Sequence, residues 1–176
     1  KKTQLRYNGN IVYNPIKDLT LSAVFSYIRD NMNRGYGETL NHISALRDGL
    51  AGWSSVGAYT KMEKLMELTA QYNKEIGAHK FSVLGGYSYN ETDFEELWID
   101  NYGFQDDYFG GWHNIGIGSA LKDGKANIGS KKTPTNLIGF FGRATYSFKN
   151  RYLLMGAHRY EGASQLWGSD NGWGLF

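Results

Sequence analysis

Cysteine is absent from the 176 residues and proline occurs only twice. Without thiols there is no disulfide framework, no thiolate zinc site and no cysteine nucleophile, and the chain fits either a reducing compartment or an exported protein that uses no bridges. Charge of one sign is lacking too: 19 Lys and Arg face 17 Asp and Glu, a net +2, so no bulk imbalance points to nucleic acid or an anionic surface. No apolar run approaches the roughly 18 residues of a helical membrane span, and mean hydropathy is −0.50. The opening Lys1-Lys2-Thr3-Gln4-Leu5-Arg6 has no apolar segment behind its basic pair, so no signal peptide is read there. What is abundant is aromatic side chains, 15% of the chain, which disordered sequences lack.

Period-two alternation is the dominant pattern. Leu5, Tyr7, Gly9, Ile11 and Tyr13 alternate with polar neighbours, as do Leu19, Leu21, Ala23, Phe25 and Tyr27. Further sets are Met66 to Tyr72, Phe81 to Tyr89, Ile138 to Phe148, and a less clean sixth from Arg151 to Arg159. These predict six antiparallel strands, each with one apolar and one polar face, plus a seventh beginning at Trp173. The connections alternate in length. Asn14 to Asp18, Asn73 to Ala78 and a turn at Lys149-Asn150 are short, whereas about Asn31 to Thr60, Asp93 to Thr135 and Tyr160 onward are long. A soluble sandwich has turns of similar length at both ends; outer-membrane barrels combine tight periplasmic turns with long extracellular loops.

Residues directly opposed in a hairpin share a face, which constrains the turns. Tyr13 opposite Leu19 and Tyr72 opposite His79 keep apolar against apolar. A three-residue turn Lys149-Asn150-Arg151 opposes Phe148 to Tyr152 and puts His158 on the apolar side, an uncomfortable place if that side meets lipid. Tyr13, Tyr72, Phe81, Tyr146, Phe148 and Tyr152 lie beside the short turns, where an interfacial aromatic girdle belongs, with Tyr27, Tyr87 and Tyr89 as the other girdle.

The run Tyr152-Leu153-Leu154-Met155-Gly156-Ala157-His158-Arg159-Tyr160-Glu161-Gly162-Ala163-Ser164, followed by Trp173-Gly174-Leu175-Phe176, resembles the SusC/RagA family of TonB-linked outer-membrane transporters. That family carries Y-x-L, R-x-D-G-S-S, F-G and W-G-x-F at these places. Here Glu161 replaces Asp, Ala163 replaces the first Ser, and Leu166-Trp167-Gly168 stands for Phe-Gly with one residue inserted. Phe141 to Tyr152 is similar to the family's F-G-R-x-x-Y-x-Y-K-x-x-Y hairpin, and His79 to Tyr87 to its H-x-x-x-x-x-G-Y hairpin. The resemblance implies that residues 1–176 form part of a single TonB-dependent-receptor β-barrel domain, all-β and transmembrane, with the plug and remaining strands absent. It implies an importer of oligosaccharides or peptides in the outer membrane of a Gram-negative bacterium. Its partners would be outer-membrane lipid, a SusD-like surface lipoprotein and the TonB complex, with no nucleic acid. Arg159, Glu161, Gly162, Ser164, Trp173 and Gly174 would be structural motif residues.

No catalytic constellation is evident, and no enzyme activity is expected. His42, His79, His113 and His158 have no partner at metal-ligand spacing. Gly124 to Thr133 nearly spells a P-loop, but Ser130 stands where Lys must be, and the bland reading is a basic glycine-rich loop. Seven acids between Glu91 and Asp107, without Lys or Arg, read as a solvated acidic loop or, less specifically, as a calcium site whose ligand spacing is wrong; no other cofactor is expected. The flat rings of Trp53, Trp98, Tyr102 and Trp112, together with Trp167, are candidates to touch substrate or a protein lid. Arg159 and Glu161, two apart at a strand end, are expected to pair on the polar face. Two other readings remain open: a soluble or surface β domain that binds carbohydrate through Trp and Tyr, and a small complete barrel.

Overall fold

The computed structural model describes residues 1–107, 111–166, 168 and 172–175; Trp167 and Phe176 lie outside them. Seven strands form one sheet in the order β1 to β7, each hydrogen-bonded to the next. They are β1 (Lys2–Ile16), β2 (Leu19–Glu38), β3 (Trp53–Ile76), β4 (His79–Tyr102), β5 (Asn127–Phe148), β6 (Tyr152–Ala163) and β7 (Trp173–Leu175). Two short helices, α1 (Ile43–Arg47) and α2 (Ser119–Lys122), sit in the connections.

All six predicted strands and the start of the seventh are present, but four are far longer than the alternation suggests. β2 runs on to Glu38, β3 starts at Trp53, β4 continues to Tyr102 and β5 starts at Asn127. The long loops therefore shrink to residues 39–52 and 103–126. Most of the acidic stretch is strand, not loop: Glu91 to Tyr102 belongs to β4. Its carboxylates are spread over neighbouring strands, Glu91 to Lys64 at 2.8 Å, Glu95 to Lys132 at 2.5 Å and Asp100 to Asn127 at 2.8 Å. The short turns also tighten, to Lys17-Asp18 and Gly77-Ala78, with Gly77 taking a φ of 58° that side-chain-bearing residues rarely adopt.

Residue contacts group into two compact units, and the strands contribute to both. The first comprises Lys1–Leu5, Arg29–Lys61 and Asp93–Thr133. Its two loops are packed: Ala45, Phe104 and Ala120 are buried, and the Phe104 amide donates to the Ala51 carbonyl at 2.7 Å. Asn101, fully buried, donates its side-chain amide to the carbonyls of Ile115 and Gly118 at 2.7 and 3.0 Å, which pins the second loop to the end of β4.

The second unit comprises Arg6–Ile28, Met62–Thr92 and Pro134–Phe176. The β5–β6 register is the predicted one, Phe148 opposite Tyr152, Tyr146 opposite Leu154 and Gly142 opposite His158. Side-chain hydrogen bonds from Thr20 to Asn14, Ser22 to Asn10 and Ser26 to Asn8 keep the polar positions of β1 and β2 together. Apolar side chains alternate with them and stay exposed, Tyr13 at 63%, Val83 at 52% and Leu154 at 71%. The aromatic girdle beside the short turns is assembled, with His79, Phe81, Tyr146 and Phe148 in mutual ring contact. His158 lies across the strand over Gly142, where a Cβ would come within 2.7 Å of its ring, and it stays exposed on the apolar side, as the register predicts.

Ala45, Phe104 and Ala120 are the buried hydrophobic residues among those described. A compact soluble protein of this mass exposes roughly 8,700 Å², whereas this chain exposes 12228 Å². Among the described residues there is no closed core of the kind a self-contained soluble carbohydrate-binding domain needs. The strand order leaves β1 and β7 as edges, so a complete small barrel does not fit either.

Candidate functional site

The local sequence Arg34-Gly35-Tyr36-Gly37-Glu38 ends β2, and alternation sends Arg34, Tyr36 and Glu38 to one face and the two glycines to the other. On the first face Tyr36 meets Trp53 of β3, ring centroids 5.7 Å apart, and its hydroxyl donates to Glu38 at 3.2 Å. Glu38 is held in turn by the Ser44 hydroxyl at 2.9 Å, which ties the loop carrying α1 to this wall. Arg34 reaches over Gly57 of β3, where a Cβ would sit 2.9 Å from its Nε, and pairs with Glu96 of β4 at 3.7 Å. Tyr59 and Phe94 form a second ring pair at 5.7 Å. Two residues beyond Glu96, Trp98 shares its face and lies flat over Gly129 of β5.

Trp112 is on the other face. Its ring fills the bed left by Gly35 and Gly37, so it cannot share a surface with Trp53. Tyr102 closes β4 half-buried, beside the Asn101 anchor. No ring contact joins Trp53, Trp98, Tyr102 and Trp112 to one another among the described residues. Arg34, Tyr36 and Glu96 were not singled out by sequence reasoning, although the glycine-alternating run at 34–38 is a period-two signal that marks Arg34 and Tyr36.

The motif residues of the second unit form a separate cluster. Arg159 donates to Glu161 at 2.5 Å, as expected, and to the Ser88 hydroxyl at 3.4 Å, crossing Gly139 to do so. Its guanidinium also lies over the Phe141 ring, 5.8 Å from the centroid. Trp173 covers Gly162 directly opposite it and stacks on Tyr160 at 4.9 Å, and Gly174 opposes Glu161. The Ser164 hydroxyl accepts from the Asn136 amide at 2.8 Å. All six motif residues thus tie β5, β6 and β7 together.

Among the described residues no three His, Asp or Glu side chains come together as a metal site. His42 bonds Ser44 at 2.6 Å, His79 bonds Tyr146 at 2.7 Å, and His158 lies on Gly142. The P-loop-like run lies largely in β5, a strand, without the loop-to-helix context that phosphate binding needs.

No family model matches the chain. A TonB-dependent receptor of Formosa agariphila is 29% identical over 163 residues, covering 92% of this chain and 16% of its own length. Another from the same organism is 24% identical over 166 residues, covering 94% of this chain. The TonB-dependent receptor SusC of Bacteroides thetaiotaomicron is 29% identical over 126 residues, 71% of this chain and 11% of its own. The chain therefore spans about a sixth or less of the length of these relatives, all three of which carry the name of receptors. Among solved structures, the RagAB peptide transporter superposes with a TM-score of 0.81 over 99% of this chain and 19% of its own, at 24% identity. The siderophore receptor PiuA of Acinetobacter baumannii reaches 0.52 over 92% at 11% identity. In sequence and in fold this chain is SusC/RagA-like, an all-β stretch that matches part of the barrel of a TonB-dependent transporter.

Proposed function

We propose that this chain is barrel wall of a TonB-dependent outer-membrane importer, its apolar strand faces against lipid and its polar faces toward a water-filled lumen. One observation carries the reading: a single antiparallel sheet whose apolar side chains alternate outward and stay exposed in the unit that holds the short turns and their aromatic girdle. Such a surface calls for an apolar cover, which the hydrocarbon phase of a bilayer supplies to the outside of a barrel. The likeness to receptors and transporters that carry TonB-dependent names supports it.

On this reading β3 and β4, at 24 residues each, exceed the 9–11 residues that cross a bilayer. Their surplus, joined by ion pairs as well as ring contacts, stands outside the membrane with the end of β2, and together they carry Arg34, Tyr36, Trp53 and Trp98 on the lumenal face. Energy comes from TonB through parts of the receptor beyond this stretch, and no covalent chemistry is involved. The substrate is an oligosaccharide or a peptide, delivered with a SusD-like surface lipoprotein that meets the loops at 39–52 and 103–126. Trp53 and Trp98 contact substrate, whereas Trp112 holds its loop on the outer side of β2.

Cell fractionation with an antibody to residues 111–126 tests the proposal. A polypeptide released from the outer membrane only by detergent, with uptake that collapses without TonB, is expected. A polypeptide that leaves with the soluble fraction would overturn it.

A further inference from the structure

Resting on the importer reading, we infer that Arg34 is the anchor of a subsite for a substrate carboxylate. The guanidinium makes a single polar contact among the described residues, the loose 3.7 Å pair with Glu96, and its side chain is 57% exposed. It is nonetheless held in place. Gly57 gives it a groove across β3, since a Cβ there would lie 2.9 Å from Nε, and Glu96 of β4 stands at its far end. Arg159 is laid over a glycine in the same manner but spends its donors on Glu161 and Ser88. Arg34 keeps its fork of N–H donors for something else.

Its surroundings fit a ligand and not a folding role. By strand alternation Tyr36, Trp53, Tyr59, Phe94 and Trp98 share its face, with Tyr36 paired to Trp53 and Tyr59 to Phe94, so the wall that carries the cation is rich in rings. A planar fork recognises a carboxylate through two parallel hydrogen bonds, which an ammonium cannot do. The rings would pack against the body that bears it. Glu38, the other acid on this end of β2, is occupied by Tyr36 and Ser44 and does not compete for Arg34. The carboxylate belongs either to a uronic-acid residue of an oligosaccharide or to the C-terminus of a peptide.

The test uses the complete receptor in its own outer membrane and four probes: trigalacturonate, its methyl ester, a hexapeptide with a free C-terminus, and the same hexapeptide as an amide. The expected result is TonB-dependent uptake of one acid probe, at least tenfold weaker for its neutral counterpart. Arg34→Ala then lowers the acid to the level of the neutral form, and Arg34→Lys restores it only in part. Whether the sugar acid or the peptide acid is taken up identifies the source of the carboxylate. TonB-dependent uptake that does not distinguish acid from neutral probe, or that Arg34→Ala leaves unchanged, overturns the subsite and leaves the importer standing. Uptake of all four probes that persists without TonB, or is absent while the receptor is correctly inserted, overturns the subsite; only the former also removes the importer.

Discussion

Gly86 of β4 lies under the ring of Phe141 on β5, and replacing it should reveal how the sheet packs its polar face. A Cβ there would lie 2.2 Å from Cζ, 2.5 Å from Cε2 and 2.9 Å from Cε1 of Phe141, so Gly86→Ala cannot be accommodated by a shift of tenths of an ångström. The ring must leave, losing its packing on the strand and the Arg159 guanidinium above it. Overpacking of this kind costs about 1–3 kcal/mol. Alanine recovers about 0.5–1 kcal/mol of backbone entropy relative to glycine, which leaves a net loss of about 0–2.5 kcal/mol. In a Phe141→Ala background the collision disappears and Gly86→Ala becomes neutral to slightly stabilising. The double-mutant cycle, read from urea midpoints of the receptor folded into lipid vesicles, should give a coupling of about 1–3 kcal/mol. Additive effects of the two substitutions would refute the packing described here.

Other consequences are simpler to read. Lys149, at a φ of 52°, occupies a left-handed conformation, so Lys149→Gly should stabilise by about 1 kcal/mol and Lys149→Val should destabilise, measured by the same midpoints. Glu161→Gln should cost about 1–2 kcal/mol by weakening a charge-assisted hydrogen bond to Arg159, and Arg159→Lys should not substitute for the fork that also reaches Ser88. Gly35→Val, whose side chain would meet the body of the Trp112 ring at 2.2 Å, should expel that ring, make the connection that carries Trp112 more sensitive to protease and cost about 1–3 kcal/mol by the same midpoints.

The alternation was legible wherever one strand face is apolar and the other polar, from Leu5 to Tyr13 or Ile138 to Phe148, because a two-sided environment writes a period of two into the sequence. It vanished where both faces are wet. β4 beyond Asn90 and β5 before Asn136 are held by pairs such as Glu95 with Lys132 on one face and Arg34 with Glu96 on the other, and a strand with charged pairs on both faces reads as a charged loop. Turn parity sufficed for the β5–β6 register, and with it Gly142 opposite His158 could have been found in advance. Phe141 over Gly86 could not, since that register depends on two strands separated by the 103–126 connection. Likewise the sequence offered four candidate aromatic residues without their faces: only alternation counted from the observed contacts separates Trp112, over Gly35 and Gly37, from Trp53 beside Tyr36.

The central claim is that alternate residues of each strand face lipid and water. No native cysteine within this stretch competes with cysteines introduced into it, and any elsewhere in the receptor is replaced by serine beforehand. Cysteines at Leu68, Val83, Phe140 and Leu154 should resist a water-soluble maleimide in the folded receptor and react with a lipid-phase reagent, whereas cysteines at Ser82, Arg143 and Arg159 should do the reverse. Uniform reactivity at both sets would contradict the account.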